Sequence, residues 1–181
     1  MLKTAVDILE SYIKGKDQDK AEILEEIYSK ESQVIFDIKS DTISFPPAIS
    51  GNVNIAKVLS RDFNKKYDKV RTYYLKQSDR HPISLNILQQ RWLVIMRDME
   101  SHQIRIGTGF YDWHLEETKE GVCQISQHKI IIGVMLCLSA ENLSLLEELQ
   151  NCIPYPWVDK RVVVKALSKH FSLKELTDYM E

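Results

Sequence analysis

The chain has 181 residues, 44% hydrophobic and 28% charged, with a formal net charge of −2. That is the mix of a folded domain large enough to bury a core without covalent staples. With no basic excess, it lacks the electrostatic footprint expected for binding nucleic acid or for polybasic docking to a membrane.

Cys123, Cys137 and Cys152 show no CxxC spacing. The sequence therefore predicts neither a disulfide framework nor a zinc knuckle, and it suits a reducing compartment. The N-terminal segment meets Asp7 before any long apolar run, which argues against a signal peptide. The longest apolar run, Ile130 to Leu138, is too short to span a bilayer as a helix. The expectation is a soluble cytoplasmic protein.

Leu2, Val6, Leu9 and Ile13 recur at helical spacing, as do Ile23, Leu24, Ile27 and Tyr28. The polar break Gly15 to Asp19 separates them and predicts a helical hairpin, with Asp19 as N-cap of the second helix. Gln33 to Ile38 is β-branched and aromatic, as a strand requires. Lys39 to Gly51 contains Pro46-Pro47 and reads as loop. Ile55, Leu59, Phe63 and Tyr67 share one helical face, with Asn52 or Asn54 as cap, and Val70 to Lys76 reads as a second strand.

Three long strand-like segments follow: Leu85 to Met99, Ile104 to Glu117 and Val122 to Leu138. Short polar turns join them, which predicts an antiparallel meander. In the tail, Leu145, Leu146, Leu149 and Ile153 form an apolar helical stripe, and Ser172 with Glu175 forms a capping box. The aromatic segment Cys152 to Trp157, with Pro154 and Pro156, reads as a rigid linker. Helices first and a meander later give an α+β class. The expected architecture is a cone-shaped, curved antiparallel sheet with the N-terminal helices on its concave face, spanning 1–138, and a helical C-terminal extension over 139–181.

Four pieces in order carry a resemblance: Tyr12-Ile13 with Ile23 to Tyr28; Val34-Ile35-Phe36-Asp37; Gly51 leading into Ile55, Leu59 and Phe63; and Gly109 to Leu115 with Lys119-Glu120-Gly121-Val122 and Gln127-His128-Lys129. Together they resemble the nuclear transport factor 2-like superfamily, which includes SnoaL-like polyketide cyclases, ketosteroid isomerases and scytalone dehydratases. The closing pattern also resembles the small subunit of ring-hydroxylating dioxygenases. The resemblance implies a cone-shaped pocket for a small apolar or carbonyl-containing ligand, and a homodimer. It also implies catalysis by proton transfer without a cofactor. Carried over residue by residue, it marks Tyr12, Asp37 and Asp112 as catalytic candidates. His114, on the strand face of Asp112, joins them as a dehydratase-like acid or base.

In that chemistry, Asp37 among Val34, Ile35, Phe36 and Ile38 would be desolvated and raised in pKa, and would take a proton next to a carbonyl. Tyr12, and Asp112 if held protonated, would donate to the enolate oxygen. Each residue also has a plainer reading. Tyr12 serves equally as a core tyrosine with a wet tip. Asp37 shares a strand face with Ile35, opposite Val34, Phe36 and Ile38, so it enters the cavity only if the Ile35 side is concave. Asp112 alternates with Phe110 and His114, while Tyr111, Trp113 and Leu115 form the more apolar face, which favours a solvent-facing acid.

His81 and His102 read as solvated, and His128 as a residue that could face His114 across the meander. No third ligand is spaced to make a metal site, and no glycine-rich phosphate loop is present. Three readings follow: an isomerase, dehydratase or cyclase with a small-ligand pocket; a non-catalytic homodimeric binding module; and an accessory subunit like the dioxygenase small subunit.

Overall fold

The computed structural model describes residues 3–76 and 84–181; His81 lies outside them. The chain opens with α1 (Ala5–Asp17), whose Thr4 cap and Asp7 exchange the two bonds of a capping box. The second helix, α2 (Ala21–Ile27), has no side-chain cap. Asp19 is instead a left-handed turn residue at φ 53°, so the expected Asp19 cap is not formed. β1 (Tyr28–Ile38) begins five residues earlier than the sequence pattern suggested. The loop after it leads to the short β2 (Ala48–Ser50).

A continuous helical stretch comes next: α3 (Asn52–Ala56), a π-helical turn (Lys57–Asp62) and α4 (Phe63–Lys66). Its N-cap is Gly51 at φ 85°, a backbone conformation glycine adopts without strain; Asn52 and Asn54 lie within the first turn. The stretch docks on the end of α1. Ser60 Oγ donates to the Gly15 carbonyl at 2.8 Å and Asn64 Nδ2 to the Lys16 carbonyl at 2.7 Å. The Asn64 bond satisfies a carbonyl at the helix end, and the Ser60 bond adds to the one the Gly15 carbonyl accepts from the Lys20 amide.

The remaining strands are β3 (Tyr67–Lys76), β4 (Asn86–Asp98), β5 (Ile104–Glu117) and β6 (Cys123–Leu138). After β6 come α5 (Leu143–Cys152), β7 (Trp157–Asp159), α6 (Lys160–Leu167) and α7 (Lys174–Met180). The segment read as a linker thus runs into a strand, and α6 is an added helix. No side chain caps α7, so the expected Ser172–Glu175 box is absent.

The seven strands form one curved, unclosed sheet in the order β2-β1-β6-β5-β4-β3-β7. The β4–β5–β6 meander is antiparallel, as expected, and β3 joins it antiparallel to β4, while β1 runs parallel to β6 and β7 parallel to β3. A core lies on each face. The inner one joins Val34, Trp92, Val94, Met96, Tyr111, Trp113 and Leu115 of the sheet to Leu9, Tyr12, Leu24, Ile55, Leu59 and Phe63 of the first helices. The outer one joins Tyr73, Leu75, Leu93, Ile95, Ile104 and Ile106 to Leu146, Leu149, Val163, Leu167, Leu176 and Met180 of α5–α7. Each such side chain contributes about 1.5–3 kcal/mol when fully buried. The C-terminal extension therefore covers the sheet face opposite the N-terminal helices.

Candidate functional site

Between the inner face, α1, the π-helical turn and the loop after β1 lies a cavity of about 40 Å³. That is room for about two or three water molecules. Phe36, Ile43, Phe45, Phe63, Met96 and Met135 give it a hydrocarbon wall, and Tyr12, Lys16, Trp92 and Tyr111 complete it. Tyr12 and Lys16 stand one helical turn apart on the buried stripe of α1, which is why both reach the same space. Phe45 stacks on Phe36 at 4.6 Å between ring centroids. Phe45 and Phe63 also line a larger groove on the outside, of about 230 Å³, so these two rings lie between cavity and groove.

Polar groups are few here. The Trp92 indole nitrogen is buried without a hydrogen bond, and the buried Tyr12 hydroxyl has only the Tyr111 phenol as a polar neighbour. Burial pushes the Tyr12 phenol far above its ordinary pKa, so it is present as a donor. Lys16 Nζ donates to Thr72 Oγ1 at 2.9 Å, lies 3.3 Å from Asp17 Oδ1, and sits 4.2 Å from the centroid of the Phe63 ring. Burial lowers the Lys16 pKa, and the neighbouring Asp17 carboxylate partly opposes that.

Behind Tyr12 the interior is filled. Its ring meets Tyr111, Trp113 and His128 edge-on at 5.5, 4.9 and 5.2 Å. His128 lies flat on Trp113, 3.6 Å between centroids, and its Nδ1 pairs with the Tyr28 hydroxyl at 2.7 Å. Burial holds its pKa well below the usual histidine value, so the ring is neutral, and Nε2 has no partner.

Of the four residues singled out in the sequence, Tyr12 alone faces this interior. Asp37 lies on the outer face, because Val34, Phe36 and Ile38 of its strand turn inward. Its carboxylate pairs with Lys39 at 2.8 Å and stands 3.9 Å from Lys129. The Lys39 hydrogen bond holds its pKa below the ordinary carboxylate value, the reverse of the expected desolvated base. Asp112 and His114 alternate with inward-facing Tyr111, Trp113 and Leu115, and so also face outward. Asp112 Oδ1 accepts from the Gln89 amide at 2.7 Å, at the irregularity in β4 between Ile87 and Gln90. His114 Nδ1 pairs with Asn86 Oδ1 at 2.7 Å. His128 is on the face opposite His114, not across from it. Among the described residues, no three histidine, cysteine, aspartate or glutamate side chains gather as a metal site would require.

Lys16, Trp92, Tyr28 and His128 carry the polar chemistry of the interior, and the sequence reading did not select them as site residues. The spacing of Tyr12 and Lys16 could have pointed to the lysine. The alternation of Trp92, Val94 and Met96 along one strand face could have pointed to Trp92.

No family model matches the chain, and no curated protein matches its sequence. Solved structures do match. A hexachlorocyclohexane dehydrochlorinase (LinA) type 2 superposes at a TM-score of 0.59 with 14% identity, over 75% of this chain and 87% of that one. The chain has the nuclear transport factor 2-like fold. A nuclear transport factor 2-like protein from Salmonella enterica matches at 0.52 and 12% identity, over 74% and 87%. A ketosteroid isomerase-like protein from Erwinia carotovora atroseptica matches at 0.51 and 9%, over 71% and 93%. At such identities the likeness defines the nuclear transport factor 2-like fold and leaves function to the residues. No helix among the described residues is long and apolar enough to cross a membrane.

Proposed function

We propose that this protein binds a small, largely apolar molecule carrying one neutral acceptor oxygen, such as a carbonyl compound, in the cavity beside Tyr12. One observation carries the reading: the unpartnered Trp92 indole N–H and the buried Tyr12 hydroxyl, which has only the Tyr111 phenol beside it, belong to the wall of a cavity lined mostly by hydrocarbon. A buried donor left unpaired costs about 1–3 kcal/mol, and an acceptor oxygen in the cavity removes that cost. Lys16 and Asp17 neutralise each other, so the wall has donors without surplus charge. A neutral oxygen fits such a wall better than an anion.

The same arrangement supports proton-transfer chemistry as a second reading. A carbonyl oxygen held by the Tyr12 phenol would have its developing enolate charge stabilised. Solved structures with this fold include proteins named as a dehydrochlorinase and as ketosteroid isomerase-like, in keeping with an elimination or isomerisation site. We also propose a cytoplasmic homodimer. The three cysteines are unpaired, and Ile35, Asp37, Phe110, Lys129 and Ile131 remain partly exposed on the outer face. A two-fold copy could match that alternation of apolar and charged groups with itself.

Saturation-transfer NMR with butanone tests the binding reading. Wild-type protein is expected to bind it, and Tyr12→Phe to bind about tenfold more weakly, the loss of one hydrogen bond of about 1.4 kcal/mol. Equal affinity for the two proteins, or no binding to either, overturns it.

A further inference from the structure

We propose that Lys16 is a nucleophile that forms an imine with small aldehydes entering the cavity. The inference rests on the reading of the cavity as a carbonyl pocket and adds covalent chemistry to it.

The geometry is that of an amine kept out of water beside a place for its electrophile. Lys16 is 7% exposed and lines the cavity together with Tyr12 and Phe63. Two of its donor directions are fixed, one on Thr72 Oγ1 at 2.9 Å and one toward Asp17 Oδ1 at 3.3 Å. The nitrogen also lies 4.2 Å from the centroid of the Phe63 ring, which itself faces the cavity. An ammonium taken out of water loses its proton more readily than one in water, and the lowered pKa of Lys16, caused by its burial, accords with this.

The step balances without an oxidant or reductant. The Nζ lone pair attacks the carbonyl carbon and a C–N bond forms, while the π pair of C=O moves to oxygen. Asp17 Oδ1 is placed to take the proton that nitrogen sheds. The Tyr12 hydroxyl, in the same cavity wall, is placed to give one to the new alkoxide. The carbinolamine C–O bond then breaks as the nitrogen lone pair forms C=N: the hydroxyl takes the proton held on Asp17 and leaves as water, and the nitrogen returns its remaining proton to the Tyr12 phenolate.

Two structural alternatives compete. Lys16 could be only the buried partner of Asp17, and the cavity could be only a packing defect. Butanal with sodium cyanoborohydride at pH 6.5 separates them, since reduction of an imine leaves a stable butyl group that peptide mass mapping locates. Lys16 is expected to carry more label than any other lysine by roughly tenfold. Lys16→Arg, and Lys16→Met should the first not fold, are expected to lose that label and keep only the slow surface background. Label spread over surface lysines with Lys16 among the least modified overturns the inference. Butanone binding, measured in parallel without reductant, keeps the two ideas apart. Bound butanone without label on Lys16 sinks the imine and spares the pocket. Loss of both sinks the pocket as well.

Discussion

The Tyr155 hydroxyl donates to Asp17 Oδ2 at 3.0 Å, tying the C-terminal extension to the end of α1 that carries Lys16. The same carboxylate accepts from the Thr72 amide at 2.6 Å and from Thr72 Oγ1 at 2.9 Å. One acid thus joins three parts of the chain: the helix over the inner face, the strand β3 and the segment that enters β7. The Asp17 side chain is 1% exposed, so these bonds form in a weakly screened place. Nearby, Trp157 Nε1 donates to Glu10 at 2.9 Å, a second tie between extension and α1.

Asp17→Asn should therefore cost much more than Tyr155→Phe. The first leaves the buried Lys16 ammonium without its counter-charge, a loss of about 3 kcal/mol. The second removes one hydrogen bond, about 1 kcal/mol. Urea unfolding of the two variants checks the ordering, and comparable midpoints would show that the carboxylate charge is immaterial.

Acid should weaken the fold through His128. Its folded pKa is depressed by burial, while the unfolded chain takes up a proton near pH 6.5. Below that pH the unfolded state binds more protons than the native state, so stability falls as pH falls, by about 1.4 kcal/mol per unit. The window from pH 6.5 down to 5 is where the depressed pKa of buried His128 makes stability fall with pH. His128→Gln, which keeps an acceptor for Tyr28, should flatten the slope in unfolding experiments across that window. An unchanged slope would place the titration elsewhere.

Much of this was legible in the residues. The three long strands β4–β6 match within one residue, because long β-branched runs between polar turns admit few alternatives, while β3 starts three residues before the expected Val70. Strand parity also sorted the faces: Val34 with Phe36, and Tyr111 with Trp113, turn inward as grouped. What parity alone could not give was the sign of the curvature, and hence which group meets the helices. The richer apolar face did so in every case, leaving Asp37, Asp112 and His114 outside. The extension was harder to place. Leu93 and Ile95 share a strand face with the charged Arg91 and Arg97, yet both are fully buried under α5–α7. Short β2 and β7 lack the length that makes periodicity visible.

Gly109→Ala should be among the most damaging single changes in the protein. A Cβ there would overlap the Ile131 carbonyl oxygen and come within 2.9 Å of Trp92 Cζ2. The obstacle is backbone at the irregularity between β5 and β6, which cannot swing aside. A loss above about 4 kcal/mol is expected, enough to abolish soluble expression. Gly107→Ala points at the end of the flexible Met135 side chain and should cost about 1–3 kcal/mol. Soluble yield and urea midpoints compare them, and a better-behaved Gly109 variant would contradict the close approach.

Phe45→Ala should open the cavity to its outer groove. Phe45 is half-buried, stacks on Phe36, and with Phe63 forms the partition between the two spaces. Removing the ring joins the volumes and costs the stacking, about 1 kcal/mol beyond the area lost. The loop should keep its course, because Thr42 Oγ1 still donates to the Met135 carbonyl at 2.8 Å and Arg105 to the Thr42 carbonyl. Exchange of butanone measured by NMR should then be faster at equal or better affinity, while Tyr12→Phe in the same background should still weaken binding. If instead the Phe45 variant binds no faster than wild type, entry does not run between Phe45 and Phe63, and the path must cross another part of the rim.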